Sequence, residues 1–289
     1  MYSEAVTFLS LGERLAARLF LPEASRPVPA LIICHGALEF KEDFFELCEF
    51  LASQGIAALA LDMHGHGESE GERYHVEMRT WAADVRAAVD FLEAHPAVDR
   101  QGIGAFGLSS GGTAILEAAL LDPRLKTLIA LDATVRSSLK PLEAFIFQTL
   151  ILAGRIKRFF TGRDLRFSAI SLFAGVKVAS DPQVNQQVRN DARLIQAFSA
   201  FPLPGAAECF FVDTLRRVGR IVAPTLVLWG EDDELDPPES GHLLYAALTC
   251  KKRLEIIPGN GHMGHLDRHK ESVFRLTAEW ALENLTPQG

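Results

Sequence analysis

Ile103-Gly104-Ala105-Phe106-Gly107-Leu108-Ser109-Ser110-Gly111-Gly112-Thr113-Ala114-Ile115-Leu116 joins a short, continuously apolar run to a small-residue turn and then to a second apolar stretch. The first run has the length and composition of a buried strand, and the second those of a helix. Between them, residues 107–111 match G-x-S-x-G. That pattern sets a serine on a sharp strand-to-helix turn, with its hydroxyl projecting from the carboxyl edge of a sheet. The chain holds a second match, Gly67-Glu68-Ser69-Glu70-Gly71, flanked by His64-Gly65-His66 and by Glu72-Arg73-Tyr74-His75, which is loop sequence on both sides. Context therefore selects Ser109. The plainer alternative is a serine that only caps a helix, and the apolar run ending at the turn weighs against it.

Outward from this turn the same alternation repeats. Residues 30–34, 56–61 and 127–131 are apolar runs separated by helical patterns predicted over 43–53, 76–94 and 110–121. Runs without polar alternation, interleaved with helices, indicate a parallel sheet covered on both faces. Residues 6–9 and 15–20 flank a Gly12 turn and read as an opening antiparallel hairpin. After Leu131 the alternation stops for about ninety residues. It returns with strands over 224–229 and 254–257 and a closing helix over 270–285. The expected architecture is an α/β fold with a mostly parallel eight-stranded sheet. Its core would be residues 1–133 and 222–289, and residues 134–221 would form an inserted helical cap.

Charge divides the chain at the same boundaries. Of 289 residues, 29 are Lys or Arg and 37 are Asp or Glu, a net charge of −8. Residues 134–221 hold 13 basic and 6 acidic side chains, a local charge of +7, and 10 of the 19 Phe, which leaves −15 for the rest. An acidic body argues against nucleic acid as a partner. Four separated cysteines, Cys34, Cys48, Cys209 and Cys250, form neither a disulfide framework nor a C-x-x-C site. The N-terminal residues lack a basic region followed by an apolar core, so no secretory signal is expected and a cytoplasmic location follows. The longest apolar stretch, 145–153, is interrupted by Gln148 and Thr149 and falls well short of the roughly 18 residues a bilayer span needs.

With His35-Gly36 after the third strand, Asp62-Met63-His64-Gly65-His66-Gly67-Glu68-Ser69 after the fourth, the Ser109 turn, Gly230-Glu231-Asp232-Asp233 and Gly261-His262, the sequence resembles the α/β-hydrolases. The branch it is most similar to is the lysophospholipase-like and serine aminopeptidase-like one. The resemblance covers the chain except residues 134–221. It implies that the 62–69 segment is a structural loop at the edge of an active site, which accounts for the second G-x-S-x-G match. It also implies a serine nucleophile, Ser109, followed in chain order by an acid and a histidine. A serine hydroxyl is a poor nucleophile until an imidazole takes its proton and a carboxylate holds that imidazole in the required tautomer. The loop after Trp229 offers Glu231, Asp232, Asp233, Glu234 and Asp236. The family spacing selects Asp233, with Asp232 and Asp236 as alternatives. The family position of the histidine, after the last strand and a glycine turn, selects His262 over His265, which is expected to be a loop contact, and His269, expected at the surface. Two backbone N–H groups must face the developing oxyanion. Ser110 and Ala37 are the candidates, with Leu38 as the alternative to Ala37, and His35 is expected to brace that loop.

Two other chemistries compete. Asp62, His64 and His66 with His262, His265 and His269 could build a metallohydrolase site, but the spacing is imperfect and the Ser109 turn would then be accidental. A non-catalytic ligand-binding relative would lack one member of the triad, and all three are present. No metal and no organic cofactor is expected. In the inserted segment, Phe145, Phe147, Phe159 and Phe160, with Leu38 of the body, are candidates for lining an apolar acyl or aryl site beneath a mouth carrying Arg155, Lys157 and Arg158. The bland reading of the same residues is packing of the insertion onto the core. The expected activity is a carboxylesterase or lysophospholipase-like serine hydrolase acting on a small apolar ester or thioester. Acyl thioesterase, C–C bond hydrolase and aminopeptidase are alternatives on the same triad. An aminopeptidase would need a cap carboxylate for the substrate ammonium, and Glu143 and Glu208 are the candidates. A transient contact of the insertion with a membrane surface is a further expectation.

Overall fold

β1 (Tyr2–Ser10) and β2 (Glu13–Leu21) form the opening hairpin, in register from Tyr2 opposite Leu21 to Ser10 opposite Glu13. The computed structural model describes residues 1–173 and 175–286. β3 (Val28–Cys34), β4 (Ala57–Leu61), β5 (Val98–Leu108), β6 (Leu128–Leu131), β9 (Thr225–Gly230) and β10 (Lys252–Ile257) complete an eight-stranded sheet in the order β1-β2-β4-β3-β5-β6-β9-β10. The β1–β2 and β2–β4 pairs are antiparallel and the others parallel. The register aligns the carboxyl ends of the central strands. Cys34 pairs with Leu61 and Gly107, Gly107 with Ala130, and Leu131 with Leu228. The residues that follow each strand therefore emerge along one edge, which is where open α/β sheets bind ligands.

Burial on both faces explains the continuous apolar runs. Alternate residues of β3 enter opposite cores: Ile32 and Cys34 on one side, Leu31 and Ile33 on the other. The first core is closed by α2 (Met78–Ala94) and α3 (Ser110–Ala119). In α2, Trp81, Val85, Ala88, Val89 and Leu92 recur at helical spacing and are buried. The second core is closed by α1 (Phe45–Ser53) and α9 (Lys270–Leu285), through Leu47, Leu51, Val273, Phe274 and Trp280. α8 (Pro238–Ala247) packs on β9 and β10.

Between β6 and β9 lie α4 (Pro141–Thr161), β7 (Leu165–Phe167), α5 (Ile170–Phe173), α6 (Pro182–Asn190), α7 (Ala192–Ser199) and β8 (Phe201–Leu203). Local chemistry explains their ends. Pro141 and Pro182 start α4 and α6, Asp181 and Asp191 cap α6 and α7 through their carboxylates, and Gly162 closes α4 at φ +68°. The segment is not wholly helical, because β7 and β8 pair antiparallel from Leu165 opposite Leu203 to Phe167 opposite Phe201. Ion pairs join it to the rest of the chain: Arg193 with Glu42 and Asp43, Arg158 with Glu72, and Arg217 with Glu117. Among the described residues no helix is long and apolar enough to cross a membrane.

Candidate active site

Ser109 follows β5 directly and precedes the first residue of α3, in the backbone conformation φ +52°, ψ −120°, which L-residues rarely adopt. The surrounding backbone over-determines that geometry. Ser109 N–H donates to Leu131 O at 3.0 Å, and the Thr113 and Thr134 amides donate to Ser109 O at 3.0 and 3.3 Å. The turn also needs its glycines. A Cβ on Gly107 would lie 2.3 Å from Gly111 O, and one on Gly111 would lie 2.4 Å from His35 O.

His262, on the loop after β10, places Nδ1 2.8 Å from Asp233 Oδ2. The other Asp233 oxygen accepts the amides of Leu235 and Asp236 at 2.8 and 3.0 Å, so the carboxylate is fixed from both sides. The loop of His262 is itself held by Asp267, which accepts from Gly261 N and, across to the inserted segment, from Ser180 N and Asp181 N. Among the described residues no hydrogen bond joins Ser109 Oγ to His262. The Ser109 hydroxyl instead meets Thr134 Oγ1 at 3.3 Å, and Thr134 donates to Asp236 Oδ2 at 2.7 Å. With the Thr134 hydrogen committed to Asp236, Ser109 is the donor in that contact.

Three carboxylates surround the imidazole. Burial works against charge on His262, but the field of Asp233, its hydrogen bond, and the fields of Asp236 and Asp132 outweigh it and raise the pKa to about 10. Asp132 directly follows β6, is fully buried at φ +45°, and accepts Gly230 N at 2.7 Å, while its second oxygen has no partner among the described residues. Burial, and then the charge of Asp233, push its pKa well above the usual carboxylate range. Burial likewise raises Asp236, to about 6. A proton held on Asp132 removes one of the charges that keep the imidazolium protonated.

The loop after β3 lies across from Ser109. His35 donates through Nδ1 to Gly36 O at 2.7 Å and accepts Met63 N–H at Nε2 (3.0 Å), so it ties this loop to the one after β4. The Leu38 amide, at φ +65°, donates to His66 Nε2 at 3.3 Å and is occupied. The Ala37 and Ser110 amides donate to no acceptor among the described residues. Glu39 accepts Gly36 N at 2.6 Å, and burial lifts its pKa to about 8, with the charge of Asp43 adding to the effect. The 62–69 segment is structural in its bonding: Asp62 receives Lys41 and the Glu68 amide, and Ser69 Oγ donates to Asp62 O while accepting Ala16 N.

The remaining sequence expectations divide. His265 is buried and stacked on Phe44 at 4.1 Å, and His269 is exposed. Leu38 is buried and Phe147 half-buried against Phe210 at 4.4 Å, whereas Phe145, Phe159 and Phe160 are 67%, 84% and 78% exposed on the outer side of α4. α4 carries apolar residues on two faces, and helical spacing does not say which face is covered. The histidines proposed for a metal site do not converge: His64 pairs with Asp84 and Glu13, and His66 packs among His35, Tyr74 and Trp81. The two groups that could offer ligands together are Glu72, His75 and Asp164, and Glu42, Asp62 and Glu68. Arg158 already bridges two carboxylates in the first, and Lys41 all three in the second. No sequence motif points to Asp132, Thr134 or Glu39; the one signal for Asp132 is a carboxylate directly after an apolar strand.

A family model described as Hydrolase_4, serine aminopeptidase S33, matches residues 25–269. A polyketide transferase of Penicillium crustosum, claH, is 32% identical over 293 residues, covering 91% of each chain. Human monoglyceride lipase is 26% identical over 295 residues, covering 96% of this chain and 90% of that one. Among solved structures, the α/β-hydrolase GrgF from a Penicillium superposes with a TM-score of 0.82 at 22% identity, covering 99% of both chains. With this strand order, a serine at the end of β5 and a match over most of its length, the chain belongs to the serine aminopeptidase S33 family of α/β-hydrolases.

Proposed function

We propose that the protein is a serine hydrolase that cleaves carboxylic esters bearing an apolar acyl or aryl group, through an acyl-enzyme on Ser109. The observation that carries this reading is the convergence, at one sheet edge, of a strained serine, an imidazole held by a carboxylate, and two amides without acceptors. Ser109 Oγ attacks the ester carbonyl carbon while His262 Nε2 takes its proton, and Asp233 holds Nδ1–H and stabilises the imidazolium. The oxyanion forms between the Ala37 and Ser110 amides, Leu38 being already engaged by His66. Collapse releases the alcohol with the proton from His262. Water, deprotonated by the same imidazole, then frees the acid. The hydroxyl of Ser109 must swing from Thr134 to His262 for the first step, a rearrangement common when a site without substrate becomes a reactive complex.

In this reading residues 134–221 act as the cap, and the acyl group lies against the inner side of α4, where Phe147 meets Phe210, with Leu38 beside the oxyanion loop. Ester substrates are favoured over peptides because both candidate ammonium anchors are occupied: Glu143 accepts Lys140 N at 2.9 Å, and Glu208 accepts Met78 N, with its pKa raised by burial. The test is a profile of p-nitrophenyl esters of graded chain length, cinnamoyl esters and acyl-CoAs. Turnover that survives EDTA and is abolished by an organophosphate and by Ser109→Ala supports the proposal. Failure of every substrate class to give Ser109-dependent turnover overturns it.

A further inference from the structure

Away from Ser109, the junction of α4 with β7 forms a concavity of about 350 Å³ against the loop between β4 and α2. Arg73 comes from the body; Lys157, Arg158, Arg163 and Arg166 come from the inserted segment; Glu72 and Asp164 are the acidic members. Of the five cations only Arg158 is neutralised, by Asp164 at 2.8 Å and Glu72 at 2.7 Å. Asp164, buried, is also bonded to His75, so the floor of the concavity is a closed network that spans both parts of the chain.

The other cations have no carboxylate partner among the described residues. Two of them are nevertheless fixed. Arg73 Nη1 donates to Gly67 O and Ser69 O, with its guanidinium 5.3 Å over the Tyr74 ring, and Arg166 donates to Ala200 O and to Arg73 O. Backbone carbonyls thus orient two guanidinium groups without cancelling their charge. Lys157 and Arg163 make no side-chain hydrogen bond or ion pair among the described residues. Four uncompensated cations around one concavity repel each other, and an oxyanion with several acceptor oxygens relieves that repulsion and takes the free N–H donors.

We propose that this concavity binds a phosphate-bearing small molecule, whose phosphate bridges Arg73 of the body to Lys157, Arg163 and Arg166 of the inserted segment. Two sources carry that chemistry: a nucleotide diphosphate of the kind found on acyl carriers, and a glycerophosphate head group. The site does not depend on the chemistry of Ser109, so binding is measured in a Ser109→Ala background, where no turnover occurs and failure of the esterase reading leaves the result intact.

The experiment is calorimetric titration with inorganic diphosphate, coenzyme A and glycerol 3-phosphate. Each is run on Ser109→Ala alone and with Lys157→Gln and Arg163→Gln added, at two salt concentrations. Saturable binding is expected for diphosphate and for at least one of the organic phosphates, weaker at high salt, and about tenfold or more weaker with the two neutralised cations. The thermal midpoint without ligand should be unchanged, because neither side chain holds the fold. Binding of coenzyme A but not glycerol 3-phosphate assigns the nucleotide source, and the reverse assigns the head group. Absence of saturable heat with all three up to about 10 mM, or equal affinity in the neutralised variant, overturns the proposal. Arg166→Gln is the second variant should the double substitution fail to fold.

Discussion

The charge around His262 decides how the site responds to pH. As a general base the imidazole works only when neutral, and the fields of Asp233 and Asp236, with that of Asp132 when it is ionised, oppose that state. Asp236, at about 6, is charged through the neutral range. Asp236→Asn keeps an acceptor for Thr134 and removes the charge, so the His262 pKa falls. The acid limb of kcat/KM should move to lower pH, read from pH profiles of both proteins; an unmoved or raised limb would count against His262 as the base. Ser109→Ala should reduce ester turnover by at least about 10³-fold, with a small change in thermal midpoint. Ser109 was legible because its strand, turn and helix are contiguous, and His262 because the family places a histidine after the last strand. Asp132, Thr134 and Glu39 were not, because their roles depend on strands and loops brought together only by folding. Thr134 meets Ser109 and Asp236 across 25 and 102 residues of chain.

At the scale of elements, the turn at Ser109 is a tight joint between β5, α3 and the loop after β3. A methyl group at residue 111 has no free space, since it would meet the backbone of residues 34 and 35 rather than a side chain that could move aside. Gly111→Ala should therefore destabilise by about 1–3 kcal/mol, measured by chemical denaturation, and lower activity through displacement of the Ser110 amide. α4 sets the opposite case. The sequence marks its phenylalanines as apolar candidates within a helical insertion, but not the bounds of this helix or which of them face inward. The outer stripe, with Phe145, Ile156, Phe159 and Phe160 and with Arg155 and Lys157 nearby, has the composition of an interfacial helix. Phe159→Ser with Phe160→Ser should leave kcat/KM on a water-soluble short ester within roughly twofold, as exposed positions usually do. Co-sedimentation with anionic vesicles should fall if this face is the membrane contact, and equal sedimentation would remove that role. Elsewhere legibility followed burial: α9 starts and ends where its pattern does, while α8, β7 and β8 lie in stretches without a sustained apolar period.

Across the whole molecule, the division of charge between a body at −15 and an insertion at +7 becomes a set of specific bridges. Arg193, next to the α7 cap, reaches Glu42 and Asp43 at 3.1 Å and lies 4.4 Å over the Phe40 ring. Those three residues continue the loop that carries Ala37, Leu38 and Glu39, so a cation of the insertion holds the segment proposed to supply half of the oxyanion hole. Burial raises Asp43 while Arg193 lowers it, so the two groups stabilise each other's charge. Because the Arg193 side chain is about two-fifths exposed, solvent screens the ion pairs to about 0–1 kcal/mol, and the ring contact adds about 0.5–1 kcal/mol. Arg193→Gln should thus lower the thermal midpoint by only a few degrees. Its effect on catalysis should be larger than that cost implies, because a loop displaced by a fraction of an ångström weakens an oxyanion contact more than it weakens the fold. The expected result is a fall in kcat of about tenfold, with KM little changed. High salt applied to the unsubstituted protein should reproduce part of that fall and should have little further effect on the variant. A variant with unchanged kcat would mean that the insertion rests on the body without positioning the Ala37 loop.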